Sequence, residues 1–228
     1  MCEPVEISYQ TIVICEGKED RAFFDAIMLY LDKREYHGFV IGEGTGSYGI
    51  DSLPTFLKYL YGVRNFRRKI RDIILLADAD ANARATFDRI VSHVKNANGD
   101  ADVNSYYDVP TKEFEKSRGN PTFTVFLQPG PGGIGCLETL LLTYARRVYA
   151  GEMGCVDGLI QCSGISNVPK SWSASKQDKS RLNALIAILH KESPSLSISH
   201  LWKRAPGLFP IDQPEFSAVT EFFANLLT

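Results

Sequence analysis

The sequence predicts an α/β protein with a mainly parallel, four-stranded sheet flanked by helices. Four short apolar runs alternate with amphipathic segments along the first 150 residues. The connections between the runs are long enough to be crossovers, which join parallel strands and place helices on both faces of the sheet. After about residue 150 the pattern changes, and no clear strand follows. We therefore expect an α/β domain over residues 10–150 and a helical appendage over residues 151–228, packed on the same body.

Hydrophobic periodicity places each element. The first run, TIVIC, has the continuous apolar, β-branched composition of a buried strand. Strands are expected at residues 11–15, 38–41, 72–77 and 122–127. Segments with apolar residues at helical spacing predict helices. These are expected at residues 18–34, 52–62, 80–97, 136–150, 180–191 and 215–227.

Composition excludes several classes of protein. The chain has 228 residues, 44% of them hydrophobic, and a net charge of −2, so any contact with nucleic acid must use a local basic patch. The longest apolar runs fall far short of the ~18 residues of a membrane span, and the amino terminus lacks the features of a signal peptide. Five scattered cysteines without a CxxC pair predict reduced thiols in a cytoplasmic protein, without disulfides or a zinc site.

Acidic residues collect where the predicted strands end. In an open α/β sheet, ligands bind beyond the carboxyl ends of the strands, which share one edge. The polar residues expected at this edge are Glu16, Glu43, Asp78, Asp80, Gln128 and Glu138. Because alternate residues of a strand point the same way, Asp78 and Asp80 project together if the third strand continues through both.

These acids predict a metal site. Carboxylates held close together raise each other's pKa unless a cation neutralises them. Mg²⁺ or Mn²⁺ bound to oxygen ligands would do so, and Glu16, Asp78 and Asp80 are the expected ligands. The alternative is that some of the acids stabilise helix starts. Asp80 precedes a predicted helix, and Glu138 lies in the first turn of another.

Two motifs resemble a known family. CEGKED at residues 15–20 is similar to the hydrophobic-Glu-Gly motif of Toprim domains, and LLADADANA at residues 75–83 is similar to their DxD motif. PGGIGCLETLLL, SKQDKSRLNALIA and the final aromatic helix extend the resemblance to the whole chain. They resemble the stand-alone Toprim-like proteins grouped as DUF3226, related to the nucleases of the OLD branch.

The resemblance implies a site and an activity. It implies bound Mg²⁺ and nuclease-like phosphodiester chemistry on nucleic acid. Glu16 matches the family glutamate, a general acid/base or metal holder, and Asp78 and Asp80 match the DxD metal ligands. Glu138 resembles a later acid, and Gly17 the glycine that lets the backbone turn tightly. The chain lacks the tyrosine nucleophile domain of topoisomerases and the ATPase half of OLD nucleases, so ATP-driven action would need a separate ATPase partner.

Basic residues offer candidate phosphate contacts. Lys18 lies beside Glu16, and Lys179 lies in the segment SASKQDKS. Each is also explained as an ordinary lysine, Lys18 as a solvated residue in a first helical turn and Lys179 in a capping loop. RNFRRKIR at residues 64–71 could hold a nucleic-acid backbone or form a charged turn before the third strand.

A glycine-rich loop leaves another function open. GTGSYG at residues 44–49 matches GxGxxG, but it follows the second strand instead of the first, so we expect a flexible loop. Two alternatives to a nuclease remain. One is a non-catalytic module that binds nucleotide, nucleic acid or an ATPase, and the other is a nucleotide-binding enzyme that uses this loop.

Overall fold

A four-stranded parallel sheet forms the centre of the protein, for which a computed structural model describes residues 6–164 and 172–227. The strands are β1 (Thr11–Cys15), β2 (Tyr36–Val40), β3 (Asp72–Asp78) and β4 (Thr122–Gln128). Their order is β2-β1-β3-β4, and each neighbouring pair is parallel. The predicted α/β class and parallel sheet are confirmed, and β1 and β3 are the central strands.

Helices connect the strands and make up most of the carboxyl-terminal part that the structure describes. The helices are α1 (Lys18–Tyr30), α2 (Leu53–Gly62), α3 (Phe66–Lys69), α4 (Ala83–Asn98), α5 (Leu137–Val148), α6 (Ala150–Cys162), α7 (Ala174–Leu189), α8 (Leu201–Arg204) and α9 (Ser217–Leu226). In the chain as described, none of them is both long and apolar enough to cross a membrane.

Two predicted helices have wrong bounds for local reasons. The helix expected to run to residue 34 ends at Tyr30, because Asp32 adopts a left-handed conformation with φ 51° that turns the chain towards β2. The helix expected from residue 80 begins only at Ala83. Its cap is Asn82, whose side chain accepts a hydrogen bond from the Ala85 N–H at 3.0 Å.

The appendage contains a helix that the sequence pattern did not predict. The single helix expected over residues 136–150 ends at Val148, and α6 begins two residues later. The sequence of α6, AGEMGCVDGLIQC, contains three glycines, which lower helix propensity and weaken the periodic signal. Helix α7 also begins six residues before the predicted start at residue 180.

Strand alternation divides the core into two layers. One face of the sheet packs against α2 and α4, and the other against α1, α5 and the carboxyl-terminal helices. The strand residues on this second face are Val13, Cys15, Ile74, Leu76 and Phe126. The sheet is therefore buried on both sides, as the continuous apolar composition of its strands requires.

Aromatic residues join the carboxyl-terminal helices to the α/β part. Phe223 of α9 packs against Phe24 of α1, with ring centroids 5.0 Å apart, and against Phe126 of β4 at 5.2 Å. Phe216 likewise packs against Phe23 at 5.9 Å. These rings belong to one continuous buried cluster, so the appendage and the α/β part share a hydrophobic core.

The cysteines in the described ranges carry free thiols. Cys15 and Cys136 are buried, whereas Cys155 and Cys162 are exposed on or beside α6. Cys2 lies outside the described residues. Cys15 and Cys136 each pack as a small apolar residue, as buried free cysteines commonly do.

The shared core predicts cooperative unfolding. Phe223→Ala removes a fully buried ring from the junction, and we expect it to lower the free energy of unfolding by ~3–5 kcal/mol. Both tryptophans, Trp172 and Trp202, lie in the appendage, so their fluorescence reports on that part and, through the contact of Trp202 with Phe23, on its junction with α1. In urea, the fluorescence and far-UV circular dichroism transitions should coincide.

Leu29→Ala is the control, because Leu29 is 65% exposed and its loss should change stability by less than ~0.5 kcal/mol. Two separate transitions in the wild-type protein would contradict a shared core.

Candidate functional site

The ends of the two central strands bring Glu16 next to Asp78. The Glu16 N–H continues the ladder by donating to the Leu76 carbonyl at 3.0 Å. The Asp78 N–H in turn donates to Glu16 Oε2 at 3.4 Å. Parallel pairing of β1 and β3 therefore places both acids at the same edge, although 62 positions separate them in the chain.

The start of α5 adds a second acid beside Asp78. Asp78 Oδ1 accepts a hydrogen bond from the Leu137 N–H at 3.2 Å, at the first residue of this helix. Glu138, the next residue, is 3% exposed. The partial positive charge of a helix N-terminus favours carboxylates at this position.

Asp20 is a site residue that the sequence analysis missed. It lies in the first turn of α1, is 7% exposed, and its Oδ2 accepts a hydrogen bond from the Gly17 N–H at 2.8 Å. Burial, followed by the negative charges of Asp78 and Glu16, raises its pKa well above the usual value. The signal was its place three residues after Gly17, which is the N-cap to N3 spacing of a capping box.

Gly17 does not make the tight turn that the family resemblance implies. Its φ of −130° is an extended conformation open to any residue. A Cβ at this position would instead lie 3.2 Å from Asp20 Oδ2. The glycine therefore leaves room for the carboxylate that caps α1.

The third strand does not continue through Asp80, so the condition for Asp78 and Asp80 to project together is not met. Strand β3 ends at Asp78, and Asp80 adopts a left-handed conformation with φ 52°. Its backbone pairs with Gly135, with the Asp80 N–H 2.8 Å from the glycine carbonyl, and it is exposed. It is not the cap of α4 either. Its negative charge is still close enough to raise the pKa of Glu16.

The appendage supplies a cation to the acids. Lys179 of α7 places Nζ 3.8 Å from Glu138 Oε1. Burial alone would lower its pKa, but the negative charges of Glu138 and Asp78 raise it overall. Helix α7 is held in place by Asp178, which accepts a hydrogen bond from the Thr139 hydroxyl at 2.8 Å. Lys18, by contrast, is exposed at the start of α1.

The acids outnumber the lysine that faces them. Burial raises the pKa of Asp78 to about 7, with further contributions from Glu16 and Glu138. Burial also raises the pKa of Glu16, against the effect of its hydrogen bond from Asp78. A bound cation would favour the ionised forms and lower these pKa values.

The acids fit Mg²⁺ in their chemistry but do not enclose one point. Over residues 6–164 and 172–227, no three His, Cys, Asp or Glu side chains form a ligand set for a metal ion. Glu16, Asp20 and Asp78 each accept a hydrogen bond from a backbone N–H, and Glu138 faces Lys179. Mg²⁺ commonly binds one or two carboxylates and completes its coordination with water and phosphate oxygens. The acids at this edge can provide those one or two carboxylates.

Gln128 is a buried polar residue beside Asp78. The two are register partners at the ends of β4 and β3, so their side chains leave the sheet on the same face. Gln128 is fully buried, and neither atom of its amide has a hydrogen-bond partner in the described part of the chain. An unpaired buried amide is costly and points to a role at this edge.

The end of β2 contributes no acid to the cluster. Glu43 is exposed, and its Oε2 accepts a hydrogen bond from the Val40 N–H at 3.0 Å. In the glycine-rich loop, Gly44 has a φ of 81°, and a Cβ there would lie 2.5 Å from the Tyr59 ring. Packing against this tyrosine explains that glycine without a bound dinucleotide.

A comparison with known protein families identifies the family of this chain. The profile of DUF3226, described as a protein of unknown function, matches residues 10–228. The chain belongs to the DUF3226 family. Because the match runs from β1 to α9, the DUF3226 region includes both the acids and the helix that carries Lys179. No curated protein and no solved structure matches the chain.

The raised pKa of Asp78 predicts a pH dependence of stability. Between about pH 4, where an unfolded aspartate titrates, and about pH 7, the folded protein keeps a proton that the unfolded chain releases. The free energy of unfolding should therefore fall by ~1–3 kcal/mol as pH rises through this window in EDTA.

Asp78→Asn should reduce this slope, whereas Asp102→Asn in an exposed loop should preserve it. Urea unfolding at several pH values measures both variants. Equal slopes for the wild type and Asp78→Asn would show that a raised pKa of Asp78 is not the cause of the pH dependence.

The unpaired amide of Gln128 predicts a stabilising substitution. Gln128→Met keeps the shape of the side chain and removes the buried polar group, so we expect the free energy of unfolding to rise by ~1 kcal/mol without metal. The control is Thr124→Val, which removes another unpaired buried polar group, the Thr124 hydroxyl, on the same face of β4. It should also stabilise the protein, for the same reason. A loss of more than ~1 kcal/mol in Gln128→Met would show that the amide is satisfied.

Proposed function

We propose that this DUF3226 protein is Toprim-like and performs Mg²⁺- or Mn²⁺-dependent phosphodiester chemistry on nucleic acid. The observation that carries the proposal is the gathering of acids from separate segments at one edge of a parallel sheet. Asp20 and Glu138 are buried there, Glu16 and Asp78 are half-buried, and Lys179 faces Glu138. Burying like charges is costly, and structures keep such clusters where they serve a site.

The acids are suited to hold the metal ion. Asp78 and Glu16 are the central candidate ligands, joined by the hydrogen bond from the Asp78 N–H to Glu16 Oε2. Asp20, Asp80 and Glu138 extend the oxygen-rich surface around them. A bound divalent ion would polarise the phosphate and activate a water molecule. All five carboxylates are hard oxygen ligands, as Mg²⁺ and Mn²⁺ prefer.

The remaining groups are suited to bind phosphate and transfer protons. The Lys179 ammonium is held at the acids by Glu138 and can contact a phosphate oxygen of the substrate. Glu16, where it does not itself hold the metal ion, is suited to exchange a proton with the attacking water or the leaving oxygen during hydrolysis. This is the general acid/base role that the Toprim resemblance assigns to the same residue.

A cleavage assay tests the proposal. Labelled single-stranded DNA, duplex DNA and RNA are incubated with the protein in Mg²⁺, in Mn²⁺ and in EDTA. We expect metal-dependent cleavage that Asp78→Asn lowers at least ~100-fold, since it removes a charge from the metal-binding surface. Asp102→Asn, on an exposed loop, should cleave as the wild type does.

Metal binding is measured separately by thermal unfolding. Mg²⁺ at a hundred times its dissociation constant should stabilise the wild type by ~2.7 kcal/mol, and this gain should be absent in Asp78→Asn. No cleavage and no metal-dependent stabilisation would rule the proposal out.

A non-catalytic module is the second candidate. It is favoured by the absence, in the described ranges, of a ligand set closed around one point, and by the pairing of Glu138 with Lys179. Metal-dependent stabilisation and nucleic-acid binding without cleavage of any of the three substrates would support this candidate over the nuclease.

A further inference from the structure

A cluster of basic residues lies at the opposite edge of the sheet from the acids. We call it the basic edge, and it consists of Arg64, Arg67, Arg68, Lys69 and Arg71. It spans the short helix α3 and the residues that enter β3. The Arg71 N–H donates to the Gln10 carbonyl at 2.9 Å, just before β1, so the cluster lies where the central strands begin.

Buried residues hold the basic edge in one conformation. Phe66 and Ile70, four positions apart, are fully buried in the core on this side of the sheet. The Phe66 ring lies 5.8 Å from that of Tyr106. Because these two residues face inward, Arg67 and Arg68 between them point to the surface, and both are exposed. The segment is therefore a one-turn helix anchored in the core.

The positive charge of the basic edge is not neutralised within the described residues. No carboxylate oxygen of this part lies within 4.0 Å of any of the five cationic groups. The nearby acids have other partners. Glu6 accepts from the Asn65 amide at 2.9 Å, and Asp72 pairs with Lys116 at 3.1 Å. Crowding five cations in a chain of net charge −2 favours an anionic partner.

The surface has the form of a phosphate-binding site. A hollow of about 280 Å³ opens between the end of α2 and α3. Its lining residues are Gly62, Val63, Arg64, Asn65, Arg67 and Arg68. Arginine forks bind phosphate through two parallel hydrogen bonds, and four of the five cations are arginines.

Aromatic side chains adjoin the arginines. The Arg67 guanidinium lies 4.8 Å from the centre of the Tyr61 ring, which packs against Tyr106 at 5.2 Å. The Tyr106 hydroxyl is buried and lacks a hydrogen-bond partner in the described residues, and this burial raises its pKa to about 12, against the lowering effect of the nearby Arg71 charge. Arginines beside partly exposed aromatic rings are typical of surfaces that bind nucleic-acid strands.

We propose that the basic edge binds the phosphate backbone of nucleic acid. The seven residues of β3 separate it from the acids by ~20 Å, so this is a contact distinct from the acidic site. It requires neither a metal ion nor phosphodiester chemistry. An acidic protein would also meet the positive charge, but it has no bases to stack beside Tyr61.

Binding in EDTA tests this inference independently of cleavage. Fluorescence anisotropy is measured with labelled single-stranded DNA, duplex DNA and RNA at several salt concentrations. Arg67→Gln/Arg68→Gln should weaken binding at least tenfold and reduce the slope of log K against log salt by about two, one for each lost phosphate contact. Both residues are exposed, so the variant should keep the circular dichroism spectrum of the wild type.

The matched control is Arg146→Gln/Arg204→Gln. It removes the same charge from two exposed arginines on α5 and α8 and should bind within twofold of the wild type. Asp78→Asn should also bind normally, so a failed cleavage assay leaves this inference standing.

Three outcomes would overturn the inference. The wild type could bind none of the three nucleic acids, or both double variants could lose affinity equally. Alternatively, the wild type could bind poly-glutamate but no nucleic acid, with that binding lost in Arg67→Gln/Arg68→Gln, which would assign the basic edge to an acidic protein.

Discussion

The rest of the site depends on the burial of like charges where β1 and β3 end. Glu16, Asp20 and Asp78 lose much of their contact with water and repel one another, and the pKa of each is raised as a result. Backbone N–H groups offset part of this cost, two of them at the starts of α1 and α5. The acids are therefore held by the ends of regular elements, which fixes their positions more rigidly than loops would.

The appendage completes the acidic site as well as the core. Lys179 faces Glu138, and the hydrogen bond between Thr139 and Asp178 ties α7 to α5. Phe223 packs against Phe126 of β4, on the face of the sheet that is also covered by α1 and α5. This arrangement gives a structural reason for the DUF3226 match to extend over both parts of the chain, since the α/β part alone would leave an apolar face and the acids uncovered.

Strand direction separates two surfaces of opposite charge. In a parallel sheet, all strands start at one edge and end at the other. The acids collect at the ends of β1 and β3, and the basic edge lies at their beginnings. A net charge of −2 thus conceals a largely buried cluster of acids at one edge and a basic surface at the other. Total charge does not describe such a protein, because an approaching anion responds to the nearest surface within a Debye length.

The sequence by itself determined the sheet and the nearness of Glu16 to Asp78. Continuous apolar runs specify buried strands, and long crossovers specify parallel pairing. Only the tertiary structure decided that Asp20 is buried, that β3 ends before Asp80, which has φ 52°, and that Lys179 meets Glu138. Local pattern cannot reveal these, because burial and long-range contacts depend on which helices pack together, and a left-handed residue breaks the alternation from which side-chain direction is predicted.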